Sequence, residues 1–168
     1  MFPSTLLLPL TAAFAGLTTS TPIVHQRQLE IPENWNWHVT GWHAGCARSG
    51  CSYNFNVTIP TIENKILGVK AYCSGAEVID GVNLDLNTYR NCQILEGVNN
   101  GVSAKFGPRK DFQSGGPEKI FVSFTLGAYE AEGRPEYNFT GNAEAIYNAF
   151  VAPLREFDVV PTVVWTSG

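Results

Sequence analysis

The chain has 168 residues, of which 44% are hydrophobic and 15% are charged, and its formal net charge is -4 with an isoelectric point near 5.3. An acidic balance of this kind supplies no basic face, so neither nucleic acid nor an anionic membrane surface has electrostatic support as a partner. The length suits one domain with a substantial core.

The first 20 residues have the composition of a secretory signal peptide. The apolar run over residues 6–17 is too short and too interrupted to span a bilayer, and small polar residues follow it. No second long apolar stretch follows, so we expect a secreted, extracellular protein with no membrane span. Residues 21–33 are predicted to be a flexible lead or a short pro-segment, in which a protease could cleave after Arg27. Residues 34–168 are predicted to form a single β-rich domain.

Strands are predicted from Trp35 onward, because apolar and polar residues alternate there. Trp35, Trp37 and Val39 begin the pattern, and residues 53–59 continue it more regularly until Pro60, which cannot donate to a ladder. The predicted core side chains of this second strand are Tyr53, Phe55, Val57 and Ile59. The predicted solvent-facing side chains are Asn54, Asn56 and Thr58.

Further short strands are predicted between clusters of glycine and proline. They lie at residues 67–73, 89–95, 102–106, 120–126, 137–140, 157–160 and 162–165. Residues 142–151 fit both a period of two and a helical face, and we prefer a strand there. This series predicts an all-β fold, either a compact antiparallel β-barrel or a β-sandwich with two disulfides.

Four cysteines in an oxidising compartment can pair in three ways. Cys46 and Cys51 flank a turn-like segment, and a bridge from Cys73 to Cys92 would close a loop of about 20 residues, with roughly 3 kcal/mol of stabilisation. We predict these two bridges. A metal or catalytic role would need CxxC spacing or nearby histidines, which Cys73 and Cys92 lack, so we predict no metal site and no cofactor.

Motifs of nucleophilic, metal-dependent and nucleotide-binding enzymes are absent from the sequence. His38 and His43 lie close together but lack a visible third ligand. Five carboxylates are candidates for a glycosidase pair, but their spacing does not show whether any two converge. The three that follow residue 129 are expected to be solvated in a loop. The five residues are Asp80, Asp85, Glu130, Glu132 and Glu136. We therefore predict no catalytic residue.

A candidate binding surface lies after the first predicted strand. Trp35 and Trp37 follow the buried alternation, whereas we expect Trp42 to be exposed beside His43 and Arg48, a composition favoured at binding hot spots. The alternative is that Trp42 belongs to the core, because tryptophan is often buried. Two Asn-x-Thr motifs, at Asn56 and Asn138, are predicted glycosylation sites.

The order of these marks resembles the Alt a 1-like (AA1-like) group of small secreted fungal proteins, which includes allergens and plant-response elicitors. WNWHVTGW precedes YNFNVTI, and AYCSG at residues 71–75 precedes YRNC at residues 89–92. The resemblance covers residues 35–92 and fades beyond them, and no cysteine follows Cys92 to match the family's second bridge. It implies a compact β-barrel, a Cys73 to Cys92 bridge, a filamentous fungal source and no agreed catalytic residues.

Three functions follow from these observations. The leading one is a secreted, effector-like or allergen-like protein that binds a host extracellular or cell-surface partner without catalysis. The alternative is a cell-wall carbohydrate-binding protein, which would need a row of exposed aromatic side chains, and the last is a small secreted hydrolase or ribonuclease. Some members of the resembled family carry a single dimer-forming cysteine in an early loop, where this chain has Cys46 and Cys51, so we expect a monomer or a non-covalent dimer.

Overall fold

The structure is a computed structural model that describes residues 29–48, 50–79, 82–83, 88–97, 100–108, 116–149 and 155–167. The predicted signal peptide, Arg27, Asp80 and Asp85 lie outside these residues. Regular structure in the described residues consists of β-strands and one turn of 3-10 helix, Glu130–Glu132. The strands are β1 Trp37–Ala47, β2 Gly50–Ile59, β3 Val69–Ala76, β4 Val78–Ile79, β5 Val82–Asn83, β6 Arg90–Asn91, β7 Gln93–Glu96, β8 Asn100–Phe106, β9 Lys119–Leu126, β10 Glu136–Glu144, β11 Arg155–Val159 and β12 Thr162–Ser167.

Two five-stranded antiparallel sheets form the fold. The first sheet has the strand order β11-β1-β2-β3-β7 and the second has the order β12-β10-β9-β8-β6, while β4 and β5 pair as a small separate hairpin. Each sheet remains open at its two edge strands across the described part of the chain, so the fold is a β-sandwich. The described residues do not form the closed barrel that the family resemblance implies.

The core fills the space between the two sheets, and the predicted register of β2 is confirmed. Tyr53, Phe55, Val57 and Ile59 are buried, and the residues between them face outward. On the opposite sheet, the strands predicted at residues 102–106 and 120–126 form as β8 and β9, and their alternating apolar residues are buried. The largest fully buried side chains include Trp37, Trp42, Phe55, Phe106, Phe124 and Phe139.

Both predicted disulfides form. Cys46 on β1 is directly opposite Cys51 on β2, next to the turn that joins these strands. Cys73 on β3 is bonded to Cys92, which lies between β6 and β7. The second bridge therefore connects the first sheet to a residue at the point where the chain leaves the second sheet.

The segment predicted as one strand at residues 89–95 is two short strands. Arg90 and Asn91 pair with β8 in the second sheet, whereas Gln93 and Ile94 pair with β3 in the first. At the break, the Cys92 backbone N–H donates to the Val102 carbonyl at 2.8 Å. The chain changes sheets here, so a single continuous ladder is not formed.

Two other boundaries also differ from the sequence prediction. Strand β10 ends at Glu144, and residues 145–149 leave the sheet, with the Asn148 and Ala149 N–H groups donating to the Ala44 carbonyl of β1. Residues 150–151 lie outside the described ranges. Leu29 and Ile31, in the predicted lead, pack against the core, and the Lys65 side chain donates to the Glu30 carbonyl. Packing thus begins before residue 34.

Candidate functional site

Trp42 is buried, so the expectation that it is exposed is wrong. Its indole N–H donates to the Ile146 carbonyl at 2.7 Å, and its ring packs against Phe55 and Phe157. The cause is a β-bulge at Gly41, where φ is +62° and the register of β1 shifts against both neighbouring strands. The extra residue reverses the alternation, which turns Trp42 inward.

His43 and Arg48 do not join Trp42 in one surface. His43 is half-buried, with Nε2 3.4 Å from the Ala149 carbonyl oxygen, and Arg48 is exposed in the turn after β1. The structure therefore places the three residues of the predicted binding site in three different environments. A shared contact surface that includes the Trp42 ring is not formed.

His38 is on the outer face of the first sheet, separate from His43. Its Nδ1 atom lies 2.8 Å from an Asp158 carboxylate oxygen, and Nε2 lies 3.9 Å from a Glu156 oxygen. All three side chains are more than half exposed, so this is a solvated cluster of three residues at the sheet edge. Glu130 and Glu136 are likewise exposed, as predicted.

Within the described residues, no group of three or more His, Cys, Asp or Glu side chains could hold a metal ion. No helix found in the same residues is long and apolar enough to cross a membrane.

A concavity with a volume of about 510 Å³ lies on the outer face of the second sheet. We call it the second-sheet groove. Its floor carries small hydroxyl and amide side chains from three adjacent strands, β8, β9 and β10. The lining residues are Tyr89, Ser103, Lys105, Phe121, Ser123, Thr125, Asn138 and Thr140.

Strand pairing arranges these side chains in rows across the sheet. Thr140 on β10 is opposite Ser123 on β9, which is opposite Ser103 on β8. The next row on the same face contains Asn138 and Thr125, and Gly101 is the third member. Because glycine has no side chain, β8 contributes none to that row.

Aromatic rings flank the opposite end of the groove. The Lys105 ammonium lies 4.6 Å from the centre of the Tyr89 ring and 5.7 Å from the centre of the Phe121 ring. Tyr89 also hydrogen-bonds the Thr140 side chain. Burial raises the pKa of Tyr89, and this hydrogen bond lowers it by a smaller amount, so the phenol stays neutral at physiological pH.

The two predicted glycosylation sites lie on opposite faces of the sandwich. Asn56 is exposed on the outer face of the first sheet, where it pairs with Tyr72. Asn138 is half-buried in the second-sheet groove, where its Oδ1 atom accepts a hydrogen bond from the Ser123 hydroxyl at 2.7 Å. The Ser123 side chain is itself buried.

Sequence reasoning missed most of this groove. The alternation that correctly buries residues such as Val102 and Val122 also defines the opposite face, where Ser103 and Ser123 lie. That pattern was a usable signal, but it does not reveal that β8, β9 and β10 are neighbours.

The fold and the groove define an antiparallel β-sandwich with a polar concave face that is flanked by aromatic rings. No protein-family model matches the chain, and neither the curated proteins nor the solved structures contain a match. The resemblance to the Alt a 1-like group therefore stays a prediction.

Proposed function

We propose that the chain is a secreted, non-catalytic protein of the effector-like or allergen-like kind that binds a neutral glycan on a cell wall or host surface. The observation that carries this proposal is the second-sheet groove, in which hydroxyl and amide side chains line the floor and aromatic rings flank one end. The earlier candidate surface at Trp42 loses its main anchor because that ring is buried.

The groove chemistry fits a sugar better than a peptide side chain or an ion. Serine and threonine hydroxyls and the asparagine amide both donate and accept hydrogen bonds, which matches the hydroxyl groups of a saccharide. Aromatic rings such as Tyr89 and Phe121 offer flat apolar faces against which the C–H side of a sugar ring can pack.

The charge in the groove also favours a neutral ligand. Lys105 is the one charged residue in the described lining, and its ammonium is positioned over two aromatic rings. The negative faces of these rings already stabilise the positive charge of Lys105 in part. An anionic ligand would therefore meet a single, already engaged positive charge.

The lining residues support a protein that binds its ligand without chemically changing it. Carboxylates and histidines do most general acid and base work, and the described groove residues include neither. Secretion is supported by the predicted signal peptide and by both disulfides, which persist in oxidising compartments.

The test is to fill the groove without disturbing the fold. A Cβ atom at Gly101 would meet one side chain, Thr125, at 3.7 Å, and β-branched residues suit a strand. Gly101→Ile should therefore preserve the structure and obstruct the row that contains Asn138. Ser74→Ile, on the exposed outer face of the first sheet, adds the same side chain away from the groove and is the matched control.

Binding is measured by calorimetry with neutral β-linked oligosaccharides of glucose and of N-acetylglucosamine. Unmodified wild-type protein and Ser74→Ile should bind one of these series, and Gly101→Ile should bind it at least tenfold more weakly, equivalent to about 1.4 kcal/mol. Equal affinity in a folded Gly101→Ile protein would exclude the groove as the site. Hydrolysis of the oligosaccharide by wild-type protein would overturn the non-catalytic proposal.

A further inference from the structure

We infer that Asn138 carries an N-linked glycan whose first sugars lie in the second-sheet groove, so that the glycosylated protein occupies its own binding site. This inference rests on the proposed function, because it assumes that the groove accepts sugars. It adds a regulatory consequence, namely that glycosylation of Asn138 and binding of an external glycan exclude each other.

The position of Asn138 is the first argument. Asn138-Phe139-Thr140 is an acceptor motif, and it lies within β10, in the interior of the second sheet between β9 and β12. The Asn138 side chain faces the groove and is half-buried there. A glycan attached to this residue must therefore start inside the concavity.

The hydrogen bond from Ser123 is the second argument. The Ser123 hydroxyl donates to Oδ1 of Asn138. A glycan would be attached to the other polar atom of the same amide group, the nitrogen Nδ2. Modification of Nδ2 leaves the Oδ1 acceptor unchanged. The Ser123 contact is thus compatible with the glycan and restricts the direction in which it leaves the strand.

The covalent step is a transfer to the amide nitrogen. The C1 carbon of the first N-acetylglucosamine forms a bond to Nδ2 while its bond to the pyrophosphate oxygen of a lipid-linked oligosaccharide donor breaks. The leaving pyrophosphate keeps the electron pair, and the amide nitrogen loses one proton. A chain modified during secretion meets the donor before β10 pairs with its neighbours, so the half-burial of Asn138 in the folded protein does not prevent the reaction.

The dimensions and composition of the groove suit the attached sugars. Four residues along β10 separate the row of Asn138 from the row of Asn142, which is opposite Phe121, so the groove extends about 14 Å along the strands. That length accepts more than one sugar ring. The floor between these rows carries Thr140 and Ser123, and the far end carries the Tyr89 and Phe121 rings.

Covalent attachment makes self-occupancy favourable even for a weak interaction. A tethered ligand has an effective concentration of about a millimolar when its linker reaches the site. A free glycan must compete with that concentration. Asn56 provides an internal contrast, because it is exposed on the outer face of the opposite sheet, away from the second-sheet groove.

The experiment compares the two glycans on one protein secreted from a glycosylating host. Peptide mapping should find sugar on both Asn138 and Asn56. An endoglycosidase that cleaves within the glycan core should release the Asn56 glycan from native protein at least tenfold faster than the Asn138 glycan. Both should be released equally after denaturation, and Gly101→Ile should restore native cleavage at Asn138, because the isoleucine displaces the sugar from the groove.

Absence of sugar at Asn138, or equal native cleavage at the two sites, would overturn the inference. Binding is then measured on Asn56→Gln protein, which carries sugar on Asn138 alone, and on the same variant made without glycosylation. The unglycosylated form should bind the oligosaccharide probe at least tenfold more tightly, and equal binding would overturn mutual exclusion. If neither form binds while the Asn138 glycan resists cleavage, groove occupancy stands and the proposed receptor function fails.

Discussion

Alkaline pH provides a sharp test of the packing between the two sheets, because Tyr53 connects them. Its ring lies 4.7 Å from that of Phe106, measured between centroids, and its hydroxyl donates to the Ala104 carbonyl of the opposite sheet at 3.0 Å. Burial raises the pKa of Tyr53 from 10.0 to about 12, and the positive charge of Arg90 offsets a smaller part of this increase.

The direction of the pH dependence follows from this pKa. Because the folded-state pKa exceeds the unfolded value, the stability associated with neutral Tyr53 is fully present below pH 10 and is lost as the pH rises from 10 to 12. At about 1.4 kcal/mol per pH unit, the free energy of unfolding should fall by about 3 kcal/mol over this interval through Tyr53 alone. Tyr53→Phe lacks the ionisable group and loses one hydrogen bond, which costs about 1 kcal/mol at every pH.

The assay is urea unfolding followed by tryptophan fluorescence, with mass spectrometry to verify that both disulfides are intact. Wild type should be the more stable protein near neutral pH, and Tyr53→Phe should become the more stable one as the pH approaches 12. Groups common to both proteins cancel in this difference. A stability difference that stays constant within about 0.5 kcal/mol from neutral to alkaline pH would refute the buried, neutral assignment of Tyr53.

Two further predictions concern the core and the crosslinks. Phe55 is 1% exposed and contacts the Trp42 ring, so Phe55→Ala should lower the free energy of unfolding by about 3 to 5 kcal/mol; a loss below about 1 kcal/mol in urea unfolding would contradict its packing. Replacing Cys73 and Cys92 by serine should cost about 3 kcal/mol, and replacing Cys46 and Cys51 about 2 kcal/mol, because the Cys73 to Cys92 bridge closes the longer loop. Equal or reversed losses in the two double variants would show that loop length does not determine the difference.

The sequence predicted those parts of the fold that depend on local pattern. The alternation in β2 specifies its buried face because a slip of one residue would bury Asn54, Asn56 and Thr58. The short Cys46 to Cys51 spacing fits a bridge across one turn, and the structure confirms it. Neither prediction required knowledge of which distant strands become neighbours.

The sequence predictions are wrong where one residue changes the direction in which side chains point, and where the order of strands determines which segments pair. Glycine at position 41 is a recognised signal for a bulge within a strand, and reading it would have turned Trp42 inward. The division between β6 and β7 gives no such signal, because it depends on which sheet offers a free edge to each half. The groove was missed because alternation marks the outward-facing residues of β8, β9 and β10 but does not give the register that aligns them in rows.

The change of sheets at Cys92 connects stability to the proposed site. Tyr89 lies just before β6, and the crosslinked Cys92 lies just after it, so the same short segment supplies a groove wall and an anchor to the first sheet. The Cys92 N–H bond to Val102 and the Tyr89 bond to Thr140 hold this segment against the second sheet from both sides of β6. Strand β6 itself pairs over two residues, too few to position a ring by the ladder alone. We therefore expect the wall of the groove at Tyr89 to depend on a covalent crosslink to the first sheet, the Cys73 to Cys92 bridge.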